Sequence, residues 1–124
     1  MFTVNIDYDV SKRTLKDATG HDHYCIATIG DNNRTKLQFN VIDTDGELQG
    51  FSGRVEFDIQ VKDSNESYKP YLPLEQDDSV TLTDEIVRSA RRSVLPIQLV
   101  YQDDNGHIFA SFNMLKYTIA NAVN

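Results

Sequence analysis

Three clusters of residue types in this 124-residue sequence could do chemistry. The first is His21-Asp22-His23. Two imidazoles one residue apart on an extended segment point to the same side, and an acid between them could orient one. A zinc site needs a third ligand, from His107 or one of the 19 acids. No C-x-x-C or H-E-x-x-H spacing supports it, so a polar loop leading into a strand is the simpler reading, and no metal is expected. The second is Asp43-x-Asp45-Gly46, part of a calcium-loop pattern. That template would place its first ligand at Val41 and its bidentate acid at Ser52, so the match fails and a turn remains. The third is Cys25, the one cysteine. It lies in an apolar alternating segment, where a lone thiol is expected to pack as a small hydrophobe. The sequence holds no G-x-S-x-G elbow and no phosphate-cradling glycine loop. These residues therefore predict no catalytic group and no cofactor.

Residues suited to contact are better represented. Tyr68, Tyr71 and Phe51 stand near Pro and Gly, where an exposed ring could stack on a sugar or anchor a protein; packing over the ends of the core is the plainer expectation. Arg88, Arg91 and Arg92 form a basic cluster in an acidic chain. They suit a helix terminus matched to its dipole, or an anchor for an acidic partner.

The elements that position these residues read mostly as strands. Phe2, Val4, Ile6, Tyr8 and Val10 alternate with Thr3, Asn5, Asp7 and Asp9, the period of a half-buried strand. Residues 11–22 read as a loop, followed by a short apolar piece over 24–29 and a turn over 30–33. Residues 35–42 alternate again, with Leu37, Phe39 and Val41 inward. Turns follow at Asp43–Gly46 and Gly50–Gly53. Val55, Phe57, Ile59 and Val61 then alternate with Arg54, Glu56, Asp58, Gln60 and Lys62.

Tyr68 to Leu74 carries Pro70 and Pro73, which suits an extended edge. Val80 and Leu82 predict a short strand. Residues 83–92 are the one helix-like stretch, capped at Thr83 or Asp84. Ile97, Leu99 and Tyr101 predict a strand, Asp103–Gly106 a hairpin turn, and residues 107–119 a closing strand with a bulge near Met114. About seven to eight short strands with regular turns predict an antiparallel all-β sandwich, in one domain over residues 1–124, with one short helical turn.

Charge and hydropathy narrow the partners. Twelve basic against 19 acidic residues give a net charge of −7. Nucleic acid and anionic membrane surfaces both select a basic footprint, so neither is expected. A single cysteine excludes an intrachain disulfide. The N-terminus lacks the pattern of a signal peptide, and no apolar run approaches the ~18 residues of a membrane span, so a chain made in the cytoplasm is expected.

The order of the pieces resembles the N-terminal domain of the phage baseplate upper protein family of siphophages that infect Gram-positive bacteria. The likeness runs through the first strand ending in Ile6-Asp7; Gly30-Asp31 leading into Thr35–Val41; Asp43–Leu48 with Phe51-Ser52-Gly53; the charged strand Arg54–Lys62; and the turn Asp84–Arg92 leading to the hairpin Ile97–Tyr101, Asn105-Gly106 and Phe109–Ile119. It covers nearly the whole sequence. Members of that family carry a long C-terminal part after this domain, which this sequence does not include. The resemblance implies an immunoglobulin-like sandwich that joins phage or prophage tail components in the virion, without catalysis or cofactor. Its expected partners are other tail or baseplate proteins, with a homo-oligomer as one form. On the residues alone, Tyr68, Tyr71, Arg88, Arg91 and Arg92 are the candidate interface. The alternative is a carbohydrate-binding or adhesin-like sandwich using the exposed tyrosines.

Overall fold

The computed structural model describes residues 1–30, 34–42, 52–60, 66–90, 94–102 and 105–120. Its strands are β1 (Phe2–Asp9), β2 (Thr14–Asp17), β3 (Cys25–Thr28), β4 (Thr35–Ile42), β5 (Ser52–Phe57), β6 (Ile59–Gln60), β7 (Ser67–Tyr68), β8 (Tyr71–Pro73), β9 (Ser79–Thr81), β10 (Val94–Gln102), β11 (Ile108–Ala110) and β12 (Leu115–Ala120). The helix α1 spans Asp84–Ser89. One sheet runs β2-β1-β4-β9, and the other runs β3-β12-β10-β5-β8 with β11 also on β10; β6 and β7 form a ribbon. The all-β, sandwich-like fold is thus as the alternation predicts.

The core lies between the two larger sheets. Val4, Ile6 and Tyr8 of β1 and Leu37 and Phe39 of β4 meet Val55 and Phe57 of β5, Leu95, Ile97 and Leu99 of β10, and Tyr117 and Ile119 of β12, all fully buried. Burying each such side chain is worth roughly 1.5–3 kcal/mol of transfer free energy, the main favourable term that opposes the entropy cost of ordering the two sheets face to face. The helix starts as its sequence predicts: Thr83 Oγ1 accepts from Ile86 N at 3.2 Å, and Asp84 and Glu85 occupy the first turn.

Several expectations need correction. The sandwich is mixed, because β1 pairs β4 in parallel and β12 pairs β3 in parallel. Alternation reports which face is buried, and carries no information about which strand lies alongside or in what direction. Residues 11–22 hold a strand, β2, whose inward positions are Leu15 and Asp17; an inward carboxylate hides the apolar pattern. The closing strand is divided into β11 and β12 by residues 111–114, and the register shift falls at Thr118/Ile119, not near Met114. Phe2 is exposed at the start of its strand, and Cys25 is exposed on a sheet edge, its Sγ 3.4 Å from Ala27 O. The turn at Asp43–Gly46, together with Phe51, Val61, Arg91, Arg92 and Asp103-Asp104, lies outside the described residues.

Candidate docking surface

The register across β8, β5, β10 and β11 builds one outward face. Val55 and Leu99 oppose each other and are fully buried, so their neighbours along the strands point away from the core. Arg54 stands opposite Val100 on one side and Pro73 on the other, and Val100 stands opposite Ala110. The adjacent row is Tyr71, Glu56 and Gln98. The face carries a shallow groove of about 210 Å³ lined by Arg54, Tyr71, Pro73, Val100, Gln102 and Ile108.

Two large apolar side chains stand up from it. Tyr71 is 60% exposed and Ile108 is 66% exposed. The Arg54 guanidinium lies 5.3 Å from the centre of the Tyr71 ring, while its Nε donates to Glu56 Oε1 at 2.9 Å. Ring and guanidinium thus hold each other in place, a geometry suited to an aromatic anchor beside a charge. The strand edge next to them is blunted. Phe57 N donates to Pro70 O at 3.0 Å and Leu74 N to Gly53 O at 2.9 Å, so even-numbered residues bond inward to β5. Pro73 falls among the outward positions and has no N–H, which disfavours an added strand and leaves the face as the usable surface.

The expected interface residues sort differently from one another. Tyr71 is on this face and exposed, not over the end of the core. Tyr68 is 39% exposed and donates to Glu85 Oε1 of α1 at 3.1 Å; that bond pushes its phenol above the ordinary value. Arg88 is exposed in the last turn of α1, and Arg91 and Arg92 lie outside the described residues. Arg54, Val100 and Ile108 were not legible as site residues. Their own strands were, but the face they share exists only through pairing across distant segments.

Where β11 and β12 approach β2, hydrogen bonds tie the two sheets together. Arg13 donates from Nε and Nη2 to Ala110 O at 3.1 and 2.8 Å, with its guanidinium 4.2 Å from the Phe112 ring centre and 5.2 Å from that of Phe109. The Asn113 amide then behaves like a strand backbone. Its Oδ1 accepts from Leu15 N and its Nδ2 donates to Leu15 O, both at 2.7 Å, covering the edge of β2. Deeper in, the buried Asp17 carboxylate accepts from the phenols of Tyr24 and Tyr117 and the Thr19 hydroxyl, each at 2.6 Å, and from Thr19 N at 2.8 Å. Burial pushes that carboxyl up, but the bonds from Thr19, Tyr117 and Tyr24 outweigh it and hold it below the usual carboxylate range. Tyr24 and Tyr117 are shifted far upward by burial and by Asp17, and both remain neutral donors.

The chemistry-bearing residues of the sequence stay apart. Asp22 accepts from Lys116 N at 3.0 Å and lies 3.6 Å from His23 Nε2, tying its loop to β12. Among the described residues no three metal-ligating side chains converge, and no helix is long and apolar enough to cross a membrane.

No protein-family model matches the sequence, and no curated protein matches it. In fold the chain is similar to the N-terminal domain of phage TP901-1 ORF48, with a TM-score of 0.51 at 9% identity, over 97% of this chain and 99% of that one. This mixed β-sandwich is a fold found in a phage protein domain.

Proposed function

We propose that the chain is a non-enzymatic structural module of a phage or prophage tail or baseplate, and that it acts in the virion by docking onto other tail proteins through the face around Tyr71 and Ile108. The observation that carries this reading is the near end-to-end likeness in fold to a phage protein domain. The surface supports it independently. A rigid sheet presents two exposed apolar anchors beside an Arg54–Glu56 pair, and the adjoining edge is protected against non-specific strand addition.

Immunogold labelling of phage particles from the source strain tests the reading. Label confined to the tail is the expected result, and unlabelled tails in a lysate that contains the chain contradict it. The exposed Tyr71 ring also favours a second reading, a carbohydrate-binding sandwich, although Arg54 already lies over that ring. A glycan array with the chain and its Tyr71→Ala variant separates the two, since the docking reading expects no glycan signal from either.

A further inference from the structure

The described arginines divide into two kinds. Arg13 is spent on Ala110 O and Arg54 on Glu56. The guanidinium groups of Arg34 and Arg88 have neither a hydrogen-bond partner nor an ion-pair partner among the described residues, in a chain of net charge −7. These two come from segments far apart in sequence, one just before β4 and the other in the last turn of α1, yet they line the same narrow cleft. Its remaining wall includes Gly30, at φ +85°, and the buried Val87. The cleft measures about 10 Å³, the space of about one water, and both arginine side chains are exposed beside it.

We infer that Arg34 and Arg88 form a receptor for a carboxylate carried by an acidic segment of a partner protein. The guanidinium fork matches a carboxylate with two parallel hydrogen bonds, and because both arginines are exposed the carboxylate is met at the mouth of the cleft and not inside it. A nucleic-acid backbone fits poorly, because two cations cannot balance its charge density against an acidic domain. The net charge of the chain does not prevent the contact. At physiological ionic strength distant charges are screened beyond about 8 Å, so the groups at the cleft dominate. Among the described residues Asp84 is the opposing group there: it lines the same cleft, and no ion pair joins it to either arginine. The inference rests on the docking reading for the existence of a partner and adds the chemistry that partner must carry.

A fluorescein-labelled octaglutamate peptide serves as the probe, titrated at about 0.1 M salt with detection by anisotropy and by arginine Nε–H resonances. The resonances of Arg34 and Arg88 shift together, the Arg34→Gln/Arg88→Gln variant weakens binding about tenfold or more with an unchanged melting temperature, and Asp84→Asn tightens it. Equal affinity for the double variant, or an octathymidylate that binds as tightly as the peptide, overturns the proposal. Tyr71→Ala keeps its affinity for the peptide. A failed particle experiment and a failed peptide experiment therefore indict different surfaces.

Discussion

Arg13 and Arg54 each lay a guanidinium over an aromatic ring, yet the two regions they belong to do opposite work. Around Arg13 the hydrogen bonds run between sheets: to Ala110 O, through Asn113 to both backbone groups of Leu15, and deeper in through Asp17 to Tyr24 and Tyr117. Around Arg54 they stay local, on Glu56 two residues away along the same strand, and the ring beneath, Tyr71, is mostly open to water. The first region joins the halves of the sandwich. The second holds a surface ready while adding little to the fold. A buried group whose partners lie on other elements is costly to remove, because the partners are left unsatisfied; an exposed one can return to water.

The largest effect belongs to Asp17. Replacing it with Ala leaves the buried Tyr117 phenol and the half-buried Tyr24 phenol without their acceptor, and a loss of roughly 2–5 kcal/mol is expected in urea unfolding. The pH dependence follows from the direction of its shift. The folded carboxyl is held below its ordinary value, so its contribution is fully present above the unfolded value near ~3.9 and disappears as pH falls through the lower, folded one. Thermal melts from pH 7 down to 2 should show that acid-side loss in the parent chain and a smaller one in Asp17→Asn. Equal acid sensitivity in both would remove Asp17 from the account.

Next in size is Asn113→Ala, which leaves Leu15 N and O uncovered and should cost about 1–3 kcal/mol, with amide exchange at Leu15 accelerated. Unchanged protection at Leu15 would show that water replaces the amide at no cost. The smallest stability effect, within about 0.5 kcal/mol, is expected for Tyr71→Ala on the open face. A loss comparable to that of Asn113→Ala would erase the distinction between the two regions.

How much of this was legible in the sequence follows the same division. The alternations of Val55-Phe57 and of Ile97-Leu99-Tyr101 reveal inward faces, because burial acts on each strand separately. The cap at Thr83 is equally local. Long-range features were hidden. β2 is hidden because its inward Asp17 is satisfied by Tyr117, 100 residues away. Asn113 reads as an ordinary turn residue until Leu15 is placed beside it. Cys25 follows an apolar pattern but faces out, because its neighbour Ile26 takes the inward position on β3. The site behaves likewise: Tyr71 was legible from its proline context, whereas Arg54, Val100 and Ile108 join it only through the register of four strands.

On the proposed function, the Tyr71 face carries assembly and not folding. The direct measurement is the amount of this chain in purified particles assembled with the Tyr71→Ala/Ile108→Ala variant, compared with the parent, after melting curves establish that the two are equally stable. A drop of at least about tenfold in incorporation is predicted, the scale of losing two exposed anchors at an interface. Equal incorporation of the variant and the parent would contradict the account.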